Sequence, residues 1–170
     1  MRQYWLTMIH DRRALLKYIW REEDVVLNVI KDSISKLDPW NMQKLIAGLL
    51  SAMGFQAVEK GKGPDGGVDV LAYHDIFGLE QPLIKAQVKH WKRKVSSKEV
   101  QQLTGAHPLE ARSLFFSTNG FTKNALEVAN QASVRIIEID ELVEMVVEWY
   151  EEMPSEVKAL VLLQKMYVPK

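Results

Sequence analysis

The stretch that most restricts how this chain can fold runs from Gly63 to Lys89. It opens on a glycine turn, Gly63-Pro64-Asp65-Gly66-Gly67. It continues directly into an apolar run, Val68-Asp69-Val70-Leu71-Ala72-Tyr73, and after a polar connection reaches a second, Leu83-Ile84-Lys85-Ala86-Gln87-Val88-Lys89. Adjacent glycines admit positive φ and leave room for another group to approach the backbone. Apolar and β-branched runs on either side of the connection 74–82 predict an antiparallel hairpin. Asp69 is the anomaly, because an uncompensated polar group costs about 2–7 kcal/mol to bury, and a charge costs more. Gln87 and Lys89 are two apart on a strand and therefore share a face, opposite Val88. A carboxylate, an amide oxygen and an ammonium converging across a hairpin suit a divalent-cation site for phosphodiester hydrolysis. The same residues also fit a structural reading, with Asp69 capping a turn, Gln87 bonding a loop and Lys89 reaching out of the sheet.

Ahead of this stretch, residues 1 to about 37 carry apolar residues at helical spacing: Ile9, Leu15, Leu16, Ile19 and Trp20, then Val25, Val26, Val29 and Ile30. Glu22-Glu23-Asp24 marks the start of a second helix, where negative charge complements the dipole. This extension reads as a lid or an oligomer contact. Its Trp5 and Trp20 either bury against the main domain or form a patch for a partner. Asp38 then suits an N-cap and Pro39 the first helical position, followed by a stripe of Met42, Leu45, Ile46, Leu49, Leu50 and Met53 that Gly54 ends. A short strand is expected over 55–58.

Beyond Lys89, Ser96 or Ser97 caps a helix to about Leu103 with Glu99 in its first turn. A strand over 112–118, a turn at Asn119-Gly120 and a helix capped by Thr122 follow. A strand over 134–139 comes next, then a helix capped by Asp140 through Trp149. Pro154 or Ser155 begins a last helix to about Leu163. Strand, helix, strand, helix implies parallel pairing through right-handed crossovers, whereas the hairpin is antiparallel. The expectation is an α/β chain: a central mixed sheet flanked by helices, with extra helices at both termini.

Charge enters only locally. Lys+Arg and Asp+Glu are both 22, so the global balance gives no case for a polyanionic partner. Between Gln81 and Lys98, however, there is no acidic residue, while Lys85, Lys89, Lys92, Arg93, Lys94 and Lys98 are basic and Trp91 stands among them. Such a run is also what a solvated face looks like; the adjoining Asp69, Gln87 and Lys89 favour phosphate contact. The absence of cysteine excludes disulfides, thiolate metal sites and a cysteine nucleophile, and agrees with a reducing cytoplasm. No apolar run approaches the roughly 20 residues that span a bilayer, so no membrane partner is expected. The N-terminus lacks the pattern of a secretion signal. His74, His90 and His107 have no Gly-x-Ser-x-Gly elbow to serve, and no Walker-type phosphate loop is present.

Four segments in this order resemble the nuclease domain of Mrr-type restriction endonucleases, of the restriction-endonuclease-like fold and the PD-(D/E)xK superfamily. They are Gly63 to Val70, Gln87-Val88-Lys89-His90-Trp91, Glu99-Val100 with Gly105-Ala106, and Phe116 to Lys123 before Ala125. The similarity covers about residues 38–147. It divides the chain into an N-terminal helical extension (1–37), a nuclease domain (38–150) and a C-terminal helical tail (151–170).

The resemblance implies hydrolysis of DNA backbones with Mg²⁺, or Mn²⁺ in its place. By position, Asp69 matches the metal-binding aspartate and Lys89 the catalytic lysine. Gln87 stands where many relatives have glutamate, and Gln43 stands where many have the glutamate of a Phe-Glu pair, here Met42-Gln43. Both are counted with the catalytic set. The Val88 carbonyl joins Asp69 and Gln87 as a metal ligand, and Asp65 could add a water-mediated contact. A neutral amide oxygen ligates a hard cation but adds no charge, so each substitution lowers affinity. Lys92, Arg93, Lys94 and Thr118 are the expected phosphate contacts. The implied role is restriction of, or defence against, foreign DNA, modified DNA included, by a homodimer with a separate recognition domain or subunit. A catalytically weakened DNA- or protein-binding module and a junction-resolvase-like nuclease are the alternatives.

Overall fold

A computed structural model describes residues 27–61, 67–75, 77, 79–161 and 163. Several predicted features lie outside them: the helical pattern before residue 27 with Trp5, Trp20 and Glu22-Glu23-Asp24, positions 63–66 of the glycine turn with Asp65, and the end of the C-terminal tail.

The first described helix, α1, covers residues 27–35. Helix α2, Pro39–Ala52, starts as its sequence dictates. The Asp38 carboxylate accepts from Trp40 N at 2.9 Å and Asn41 N at 3.0 Å, and Pro39, which has no N–H to orphan, opens the first turn. Gly54, at φ +94°, ends it in a conformation that a side chain would strain.

Five strands follow: β1 (Gln56–Glu59), β2 (Val70–Tyr73), β3 (Ile84–Lys89), β4 (Arg112–Ser117) and β5 (Arg135–Glu138), hydrogen-bonded in that order across one sheet. The pairs β1–β2 and β2–β3 are antiparallel, β3–β4 and β4–β5 parallel, so the sheet is mixed as expected. Helices α3 (Ser97–Thr104) and α4 (Lys123–Gln131) make the crossovers. α5 (Ile139–Trp149), a 3₁₀ turn (Tyr150–Glu152) and α6 (Ser155–Lys158) close the described chain.

Two cores clothe the sheet. On one face α1, α2 and α5 bury Ile30, Ile34, Leu45, Leu49 and Val146 against Val70, Ala86, Val88 and Phe116. On the other, α3 and α4 bury Val100, Leu103, Ala125 and Ala129 against Val68, Leu71 and Phe115. The alternation along β3 thus sends Ala86 and Val88 to the first core and Lys85, Gln87 and Lys89 to the opposite side.

Two helix ends differ from the sequence reading. Asp140 does not cap α5. Strand β5 passes straight into the helix, the extended Glu138 occupies the cap position, and Asp140 sits in the first turn paired with Lys31. The last helix stops at Lys158 rather than near Leu163. Past Lys158 the chain tightens into i→i−3 turns, Leu160 N donating to the Val157 carbonyl and Val161 N to the Lys158 carbonyl. The Tyr150 hydroxyl bonds both the Lys158 carbonyl and the Leu163 N–H, each at 3.2 Å.

Candidate active site

Asp69 lies immediately ahead of β2, not within it. Its N–H donates to the Ala86 carbonyl at 2.8 Å, and Val70 is also in register with Ala86, so two residues face one, as in a β-bulge. The cores record the same offset. Val68 packs in the second and Val70 in the first, although residues two apart in a regular strand share a face. The kink turns the Asp69 side chain toward α2 and β3. There Oδ1 accepts from Gln43 Nε2 at 2.7 Å, and Oδ2 accepts from the Val88 N–H at 2.7 Å. Burial holds the Asp69 carboxyl above its ordinary range; the Val88 N–H and the positive charge of Lys89 only partly offset it.

Gln87 is 1% exposed and its Oε1 has no hydrogen-bond partner. Leaving such an oxygen unsatisfied costs about 1–3 kcal/mol, more than the net worth of an average hydrogen bond. Its amide is pressed against Gly67, where an added Cβ would stand 2.4 Å from Nε2; Gly67 also has φ +92°. Glycine is therefore required there twice, by space and by conformation. Within a strand, the N–H and C=O of one residue point to the same side. The Val88 carbonyl thus faces the side on which its N–H meets Asp69.

Among the described residues no three His, Cys, Asp or Glu side chains gather around a common point. The oxygens at hand are a carboxylate, an orphaned amide oxygen and a backbone carbonyl. These are hard donors that fit Mg²⁺ or Mn²⁺ with a low ligand charge.

The basic segment after β3 is more constrained than its sequence implied. Lys85 leaves the patch altogether. At 1% exposure it donates to the Ala106 carbonyl at 2.6 Å and the Thr104 carbonyl at 3.3 Å, at the C-terminal end of α3. Burial lowers its pKa, with Glu110 partly restoring it. Arg93 is held too, each of its terminal nitrogens donating to Glu99 at 3.1 Å. The acid that neutralises it stands just beyond the stretch that lacks acidic residues. Lys92 and Lys94 remain exposed.

The turn after β4 braces this segment. Thr118 N donates to the Lys89 carbonyl, Asn119 Nδ2 to the Lys92 carbonyl, and Val95 N to the Gly120 carbonyl. The Thr118 hydroxyl lies 3.1 Å from His90 Nδ1. The structure therefore brings Gln43, Asp69 and Val88 into direct contact, and Lys89 within electrostatic reach of Asp69. Thr118 and Lys92 sit on the adjoining wall. Sequence reasoning missed Gly67 and Asn119 as structural partners of the site; the glycine pair and the Asn-Gly turn were the available signals.

This arrangement can be set beside known proteins. A restriction-endonuclease family, Mrr_cat, matches residues 34–146. The chain belongs to that family. No curated protein matches it. Among solved structures, the MspJI restriction endonuclease in complex with a 27-mer oligonucleotide is similar over 81% of this chain and 35% of its own, at 14% identity and a TM-score of 0.56. The crystal structure of a protein of unknown function, AF1548, is similar over 63% of this chain and 66% of its own, at 16% identity and a TM-score of 0.48. The chain thus spans about a third of one and just under two thirds of the other. At these identities the MspJI likeness bears on the fold, and it agrees with the mixed sheet and flanking helices of a restriction-endonuclease-like domain. Among the described residues of this Mrr_cat domain, no helix is long and apolar enough to cross a membrane.

Proposed function

We propose that this restriction-endonuclease-family chain is a metal-dependent endonuclease that hydrolyses DNA phosphodiester bonds. The observation that carries the reading is an Asp69 carboxylate fixed by two hydrogen bonds, one from the Val88 N–H, which directly follows Gln87 with its buried, orphaned Oε1 on the strand that ends in Lys89. Asp69, Gln87 Oε1 and the Val88 carbonyl would hold Mg²⁺, or Mn²⁺ in its place. A cation so held supplies a lowered pKa for a ligated water and offsets the charge that develops at phosphorus.

The chain's own residues do the rest. Gln43 and the Val88 N–H hold the carboxylate in one orientation, which spares the entropy of ordering it when DNA arrives. Lys89, a compact positive charge, orients the attacking water or neutralises the phosphoryl oxygens. Lys92 and Lys94 contact flanking phosphates and give affinity without sequence readout, as does the Thr118 hydroxyl beside them.

The biological role that follows is restriction of foreign DNA, including modified DNA, inside the cytoplasm. Cutting both strands needs two such sites, hence a homodimer, with target recognition supplied by another domain or subunit.

The test is plasmid nicking with Mg²⁺, Mn²⁺ or chelator, on methylated and unmethylated DNA, beside Lys89→Ala. Metal-dependent nicking that Lys89→Ala abolishes is the expected result. Nicking that survives the substitution refutes the site. A single acidic ligand among the described residues favours one second reading, a binding module with weak or no catalysis. Titration calorimetry with Mn²⁺ separates the two, since an inert module shows no heat that depends on Asp69.

A further inference from the structure

Trp91 enters the sequence reading as an aromatic inside a basic run and as the end of the Gln87-Val88-Lys89-His90-Trp91 segment, with no role of its own, yet it is central to how Lys89 is held. Lys89 Nζ and the Arg93 guanidinium carbon each lie 4.3 Å from the centroid of the Trp91 ring. Arg93 is itself anchored, donating to both Glu99 oxygens at 3.1 Å. Glu99 is buried, and its Oε2 also accepts from Ser96 N at 2.8 Å and Ser96 Oγ at 2.9 Å in the capping box of α3. A continuous path of contacts thus runs from the first turn of α3, through a carboxylate, a guanidinium and an indole, to the ammonium at the end of β3.

Lysine is otherwise poorly suited to a task that needs one geometry, because its charge rides on four freely rotating carbons. Among the described residues Asp69 attracts Lys89 through space without a hydrogen bond to it. The negative face of an indole supplies the missing restraint. That restraint also stays in place when Asp69 is engaged elsewhere, since the ring carries no charge for a cation at the site to compete for.

We propose that Trp91 is a positioning residue for Lys89: the ring, stacked on an Arg93 that Glu99 anchors, holds the ammonium beside Asp69. The catalytic consequence rests on the nuclease reading; the hold on Lys89 does not. Trp91 is 41% exposed, so its replacement leaves the fold standing.

Two measurements test the inference. In the metal-free protein, reductive ¹³C-methylation keeps lysines cationic, and Lys89→Arg assigns the Lys89 resonance. Ring current should displace that resonance upfield in the wild type. The displacement should vanish in Trp91→Leu and return in Trp91→Phe. In single-turnover nicking, Trp91→Leu should cut about 3- to 30-fold more slowly, with DNA affinity within about twofold of wild type, and Trp91→Phe should recover most of the rate. An undisplaced Lys89 resonance overturns the proposal, as does wild-type cutting by Trp91→Leu. A defect confined to affinity also overturns it, because it would make Trp91 a DNA contact. A wild-type chain that shows the displaced resonance but cuts no DNA supports the hold on Lys89 and refutes the nuclease reading alone.

Discussion

Replacing Asp69 by asparagine should stabilise this protein and inactivate it together. The carboxylate receives two hydrogen bonds, from Gln43 Nε2 and from the Val88 N–H, both at 2.7 Å. Asparagine can keep both. Its oxygen accepts from Val88, and its amide nitrogen donates to Gln43 once that side chain turns its own amide over. What changes is the charge. Burial is the largest influence on Asp69 and raises its pKa, with the Val88 N–H and Lys89 offsetting only part of it.

Because the folded-state pKa lies above the unfolded one, the native state binds this proton more tightly. The stability that this contributes is complete below the unfolded pKa and is lost as pH rises through the folded value. At neutral pH the wild type therefore carries a destabilising buried charge that Asp69→Asn removes. The gain should be about 1–2 kcal/mol, within the usual range for relieving a functional strain. For a chain of this size that is about 2–8 °C in Tm. Urea unfolding from pH 4 to pH 8 measures it. The advantage of the variant should open as pH rises and close in acid, while nicking is lost throughout. An asparagine variant less stable than wild type at pH 8, or equally favoured at every pH, refutes the account of Asp69 as a charge held against its burial.

Three further outcomes follow from the same geometry. Gly67→Ala forces a Cβ to 2.4 Å from the Gln87 amide at a φ of +92°, so it should cost about 2–4 kcal/mol in denaturant unfolding and suppress nicking; a loss below about 1 kcal/mol would contradict the close packing. Gln87→Glu adds charge to the proposed ligand set and should shift the Mg²⁺ and Mn²⁺ dependence of cleavage to lower concentration, which an unshifted titration would contradict. Alanine at Lys92, Arg93 and Lys94 together should reduce the salt slope of DNA binding by about two, not three, because Arg93 is already paired with Glu99; an unchanged slope rules the segment out as a phosphate contact.

The sequence by itself determined whatever depends on one residue and its near neighbours. Asp38-Pro39 and Gly54 bound α2 where they were read to do so, Ser96 with Glu99 opens α3, and Thr122 opens α4. The β-branched runs and the strand–helix alternation give the mixed sheet, since each is a periodic pattern that survives without knowledge of what packs across it. The tertiary structure alone decided the features that depend on what lies opposite. The alternation around Asp69 breaks by one residue, so its carboxylate meets Gln43 on α2, a partner 26 positions away that no spacing reveals. Lys85 and Arg93 look like free cations in the sequence. One is buried on backbone carbonyls and the other is committed to Glu99. Side-chain charge is a property of the residue, but its availability is set by the elements folded against it, and those contacts exist only once the sheet and its helices have closed.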